Sequence, residues 1–108
     1  MENVLAYITT KDKEEAEKIA ELLLNNNLVA CVNIGGQVQS LFNWKGKLER
    51  ASEVWLLAKS EKSKEAAILD CVAKNHSYEC PCVIFLPIHG GHSGYLNWIS
   101  TTLNSLRS

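Results

Sequence analysis

Apolar and polar positions along this chain keep switching between a period of about two and a period of about three and a half, and the switches mark out its elements. Val4 to Thr10 (VLAYITT) is apolar on both faces, as a central strand would be. Ala16, Ile19, Ala20 and Leu23 then recur on one helical face, behind Asp12 and Glu15, which have the spacing of an N-terminal capping box. Asn25-Asn26-Asn27 suits a left-handed stop to that helix. Leu28 to Ile34 (LVACVNI) predicts a second strand, interrupted at Gly35-Gly36 by a bulge or bend. Val38, Ser40, Phe42 and Trp44 alternate with Gln39, Leu41 and Asn43, and after Lys45-Gly46 a second alternating run continues from Lys47 to Lys59. This predicts a hairpin whose arms exceed the usual ~5–6 residues per strand, so part of it should project. Ser60 or Ser63 is placed to cap a second helix carrying Ile68, Cys71 and Val72 inward, with His76 just beyond its end. Cys82 to Ile88 (CVIFLPI) predicts the fourth main strand. Past Gly90-Gly91, Ser93 is placed to cap a third helix with Tyr95, Ile99, Thr102, Leu103 and Leu106 on one side.

The order β-α-β-β-α-β plus a C-terminal helix predicts a ferredoxin-like α/β sandwich, an α+β domain over residues 1–108 with an antiparallel sheet and a long hairpin between its second and third strands. A small doubly wound parallel sheet is disfavoured, because Trp44-Lys45-Gly46-Lys47 joins two alternating strands with no helix between them. Hydrophobic residues make up 46% of the 108 and charged residues 21%, enough apolar surface for one compact core. The formal net charge of −1 gives no positive field to draw the chain to nucleic acid or an acidic membrane. No apolar run reaches the ~18 residues of a membrane span, since Val83-Ile84-Phe85-Leu86 is cut by Pro87. Met1-Glu2-Asn3 lacks the basic stretch of a secretory signal, so the expected location is the cytoplasm. Four cysteines without a C-x-x-C predict reduced thiols, free to pack or to ligate.

Candidate chemistry concentrates in a few places. His76, Cys80 and Cys82 lie within seven positions, and imidazole with thiolates suits copper(I) or zinc. On a strand, Cys80 and Cys82 would share a face, which allows coordination and equally allows ordinary burial. Cys31 and Cys71 sit in apolar patterns and are expected in the core. His89 and His92 bracket Gly90-Gly91, as two ligands on a loop or as solvated residues. Glu53 and Lys59 share one face of the third strand with Trp55 and Leu57 between them, as solvated rim charges or, paired with His76 or Tyr95, as the walls of a cleft for a small anion or metal chelate. Trp44, beside the hairpin turn, suggests a partner surface. No nucleophile elbow and no phosphate-cradling glycine loop occurs, so an enzyme is not expected.

The segments Leu28-Val29-Ala30-Cys31-Val32-Asn33, Trp44-Lys45-Gly46-Lys47-Leu48-Glu49 and His76-Ser77-Tyr78-Glu79-Cys80-Pro81, with Glu53, Lys59, Leu86-Pro87-Ile88 and Tyr95-Leu96-Asn97-Trp98-Ile99, make the chain resemble the CutA family of divalent-cation tolerance proteins. The resemblance runs from Val4 to Leu103. It implies a homotrimer related to the PII signalling proteins, with clefts between subunits that take a metal ion or a small ligand. It implies copper or another divalent metal, no organic cofactor, and cleft residues among Trp44, Glu53, Lys59, Tyr78, Tyr95 and Trp98. In the bacterial copper-binding pattern a cysteine ends the first strand and two adjacent histidines precede the Y-x-x-P segment. Here Thr9 stands at the first position and Asn75-His76 at the pair, so only His76 carries over. The other function class is a scaffold presenting trimer surfaces to a partner protein. Neither nucleic acid nor a membrane is an expected partner.

Overall fold

A computed structural model describes residues 2–104. The elements are β1 (Asn3–Thr10), α1 (Lys13–Asn25), β2 (Cys31–Trp44), β3 (Lys47–Glu61), a single 3-10 turn at Lys62–Lys64, α2 (Glu65–Asn75), β4 (Val83–Pro87) and α3 (Ser93–Asn104). The four strands form one sheet in the order β2-β3-β1-β4, and every neighbouring pair is antiparallel. This is the ferredoxin-like arrangement, with β1 and β2 parallel on either side of β3 and joined through α1.

The period of two decides what each sheet face meets. Val4, Ala6 and Ile8 of β1 stand opposite Ser60, Ala58 and Leu56 of β3, and all face one way. Of these, Ala6, Ile8, Ala58 and Leu56 bury against Ala16, Ile19, Ala20 and Leu23 of α1 and Ile68 and Val72 of α2, which form the main core. The outer face carries Leu5, Tyr7, Trp55 and Leu57, continued on β4 by Ile84 and Leu86. Both β4 residues are about half exposed, at 51% and 48%. Helix α3 closes the end of the sheet where Asn3 pairs with Glu61, through Ile99 and Leu103 packed on Ala30.

Local chemistry explains the boundaries. Asp12 caps α1 by accepting from the Glu15 N–H at 2.8 Å, and Glu15 returns the contact one residue earlier than a capping box would, at the Lys11 N–H. At the other end Asn27 takes φ 57°, and Leu28 N–H reaches Leu23 O at 2.9 Å, the two marks of a Schellman stop. Lys45 and Gly46 both have positive φ, which sets the right-handed twist of a two-residue hairpin. The hairpin accounts for a long axis of 46 Å, since fourteen extended residues span about 46 Å.

Several expectations need correction: the fourth strand is Val83–Pro87 rather than Cys82–Ile88, and the third runs on to Glu61. Ser60 caps nothing: it lies inside β3 and donates to Leu28 O at 2.6 Å. Ser63 is within the 3-10 turn, and α2 begins without a side-chain cap. The cap of α3 is His92, whose Nδ1 accepts from the Tyr95 N–H at 3.2 Å, while Ser93 is already helical. The second strand begins at Cys31 rather than Leu28, because the Schellman stop uses Leu28. The expectation for Leu106 falls outside the described residues.

Candidate functional site

A bulge in β2 places the polar groups. The ladder pairs Ile34 with Leu56 but Gln37 with Val54, so β2 carries one residue more than β3 between those rungs. The parity of β2 therefore reverses. Before the bulge Cys31 and Asn33 share the outer face with Lys59 and Leu57, and after it Val38, Ser40, Phe42 and Trp44 do so with Glu53, Ala51, Glu49 and Lys47. Gly35 is obligatory here, because a Cβ would lie 1.9 Å from Cε2 of Trp55, whose indole packs onto the glycine.

One cluster forms around Glu53, which is only 8% exposed. Ser40 Oγ donates to Glu53 Oε1 at 2.6 Å and Tyr78 Oη donates to Oε2 at 2.8 Å, so both oxygens of the buried carboxylate are hydrogen-bonded. Burial together with the Glu53 carboxylate pushes the Tyr78 phenol up to about 12. Tyr78 is held in turn by His76, whose Nδ1 accepts from the Tyr78 N–H at 3.0 Å. The other ring nitrogen, Nε2, lies 2.8 Å from Thr9 O and must carry the hydrogen it donates there. Strand β4 begins opposite Ile8, so Thr9 has no β4 partner, and the imidazole takes that carbonyl instead. Next to this, Glu15 accepts from Lys11 and Ser77 N–H groups. Burial works to raise its carboxyl, but these hydrogen bonds and the nearby His76 outweigh it and hold the group below its ordinary value.

A second cluster occupies the other end of the same face. Lys59 Nζ lies 3.7 Å from Cys31 Sγ and donates to Asn33 Oδ1. Tyr95 of α3 stacks on Trp98 with 5.5 Å between ring centroids, and burial and the Cys31 thiol raise its phenol above the ordinary value. Glu53 and Lys59 are six residues apart on one strand, about 20 Å, so within one chain the two charges do not meet.

The residues singled out in the sequence are thus sorted into groups. Glu53, Tyr78 and His76 come together, as do Lys59, Tyr95 and Trp98, and Trp44 joins Tyr78 and Cys80 around an open cavity. His76, Cys80 and Cys82 are not assembled into a metal centre in one chain. Both imidazole nitrogens are committed, neither cysteine lies on a strand, and no group of three or more His, Cys, Asp or Glu placed to hold a metal occurs among the described residues. Cys80 is exposed, whereas Cys71 packs against the core, where burial raises its thiol above the ordinary value. Cys31, expected in the core, is instead half-buried beside Lys59. His89 and His92 are both exposed, the first lining a cavity with Glu2, Lys62 and Glu65, the second capping α3. The sequence reading missed Ser40 and Asn33; the signal available was strand parity, direct for Asn33 before the bulge and reversed by the bulge for Ser40.

The fold and these clusters define a class: a ferredoxin-like sandwich with polar groups gathered at the two ends of an uncovered sheet face. The chain belongs to the CutA family of divalent-ion tolerance proteins. Residues 4–102 match the family described as CutA1 divalent ion tolerance protein. The divalent-cation tolerance protein CutA of Archaeoglobus fulgidus is 43% identical over 97 residues, covering 90% of this chain and 94% of that protein. Protein CutA of Homo sapiens is 37% identical over 101 residues, covering 94% of this chain and 56% of its own length. Among solved structures, the A. fulgidus CutA, described as periplasmic, superposes with a TM-score of 0.91 at 41% identity over 94% of this chain and 99% of its own. CutA1 from Oryza sativa gives 0.93 at 33% identity, over 97% and 96%. No helix among the described residues is long and apolar enough to cross a membrane.

Proposed function

We propose that the chain is a non-catalytic responder to divalent metal ions, copper among them, or to a small ligand, and that it works as a homotrimer binding its ligand at clefts between copies. The observation that carries this reading is the placement of both polar clusters at the ends of a sheet face left open by the chain's own helices. Among the described residues one chain offers no complete cage for an ion, and in this reading a second copy supplies the remaining ligands. Strands β2 and β4 are the two edges of the sheet, and cyclic pairing of one copy's β2 with the next copy's β4 removes both. Light scattering and titration calorimetry on the reduced protein, with copper, zinc and small anions, test the reading. The expected results are a particle of three times 12.0 kDa and saturable uptake of one of these ligands. A 12.0 kDa particle, or the absence of any saturable uptake, overturns it.

A specific feature supports a second reading, a scaffold for a partner protein: the projecting hairpin exposes Leu41, Phe42, Trp44 and Leu48. Capture of that partner by the ligand-free protein, undone by polar substitutions at these positions, distinguishes it.

A further inference from the structure

The outer side of the hairpin meets the segment between α2 and β4 in a cavity of about 410 Å³, lined by Phe42, Trp44, Glu49, Tyr78, Glu79 and Cys80. The bulge in β2 turns Phe42 and Trp44 to the side of Glu49, which stands directly opposite Phe42 in the ladder. Tyr78 forms part of the facing wall, its hydroxyl already donated to Glu53, so that it has no hydrogen left for an anion. Three of the six lining residues are aromatic and two are carboxylates, and none is basic. Aromatic faces attract cations through their quadrupole, and two acids nearby favour the same sign. Lys45 Nζ lies 5.9 Å from the Trp44 ring centroid, at once the chain's own instance of this attraction and the cation that an added ligand has to displace from that ring.

We propose that this cup is a binding site for a small organic cation, an alkylguanidinium or quaternary ammonium group, held by Phe42, Trp44 and Tyr78 and neutralised by Glu49 and Glu79. All of these residues belong to one chain, but Trp44 and Tyr78 are also cleft residues of the function proposed above, so the proposal rests on that reading; the guanidinium titration reads this cup, whereas particle mass and metal uptake read the trimer. An inorganic divalent ion gains little here: two exposed carboxylates on different segments do not form a cage, and a strongly hydrated ion draws little from aromatic faces. Phe42 and Trp44 are 42% and 48% exposed, so neither is needed to fill the core, and substitution leaves the fold in place.

The experiment titrates the reduced full chain with butylguanidinium, its neutral isostere butylurea, and magnesium, reading tryptophan fluorescence and heat. The rate at which Cys80 is alkylated gives a local readout. Butylguanidinium is expected to bind saturably and slow alkylation of Cys80, with butylurea and magnesium at least about tenfold weaker. Trp44→Leu, and separately Glu49→Gln with Glu79→Gln, should each weaken the guanidinium by roughly tenfold. Equal binding of butylurea, unchanged affinity in the Gln pair, or no saturable binding at all overturns the proposal. The Gln pair keeps every ring in place and so decides the question even if Trp44→Leu alters assembly.

Discussion

Glu53 shows how one residue joins the sheet to the loop after α2. Its carboxylate is buried and accepts from Ser40 and Tyr78, so Tyr78→Phe removes a hydrogen bond to a charged group without removing the ring. The expected cost is about 1–3 kcal/mol at neutral pH. The Tyr78 phenol is raised in the folded chain to about 12, so the unfolded chain loses this proton first as pH rises. The stabilisation is therefore fully present below the ordinary phenol range and fades as pH climbs from about 10 towards 12. Denaturant unfolding of wild type and Tyr78→Phe at pH 8 and pH 11.5 should show the gap between them shrink at the higher pH. A constant gap would mean that the hydroxyl contributes through packing alone. Sequence reasoning recognised Glu53 and Lys59 as unusual on one strand face, because period two is reliable over six residues. It offered His76 and Tyr95 as partners but not the groups that bond Glu53 directly, since Ser40 and Tyr78 are 13 and 25 residues away in sequence, and Cys31 looked like core only because its sequence neighbours are apolar.

At the scale of elements, the β2 bulge is the device that gives the outer face its polar ends, and it depends on the contact of Gly35 with Trp55. A methyl group at Gly35 would sit 1.9 Å from the indole, within a strand that cannot slide away without losing its ladder. Gly35→Ala should cost about 1–3 kcal/mol or more by overpacking, and Trp55→Leu in the same chain should recover part of that loss. Thermal melts of the two single variants and the double variant test the coupling; strictly additive losses would show that the glycine matters for some reason other than the indole. Most elements were legible, because their signals are local: the Asp12 cap, the asparagine stop, the Lys45-Gly46 turn, the alternation on either side of it, and a break at Gly35-Gly36. The errors fall where a distant strand decides. β3 runs two residues past Lys59 because Asn3 and Val4 of β1 pair with Glu61 and Ser60, and no window around Ser60 contains that information.

For the whole molecule, the decisive question is what covers the outer face. Leu5, Tyr7, Trp55, Leu57, Ile84 and Leu86 form an apolar surface between two open edge strands, and fully burying one large aliphatic side chain yields about 1.5–3 kcal/mol. Ile84 and Leu86 lend themselves to substitution: they point away from the core, which β4 serves through Val83 and Phe85. Ile84→Glu with Leu86→Glu should therefore leave the chain's own fold intact while setting charges against any copy docked there. In the proposed trimer the change is repeated three times around the axis, and the accumulated cost exceeds what ordinary association can absorb. The expected outcome is a particle of 12.0 kDa with unaltered helix and strand content. Because association of folded chains is linked to folding by mass action, the wild-type melting temperature should rise with protein concentration, and that of the variant should be lower and independent of it. A variant that still assembles, with the wild type's dependence on concentration, would place the contact elsewhere. The two polar clusters would then not lie between copies, and the reading of a shared cleft would fall with that contact.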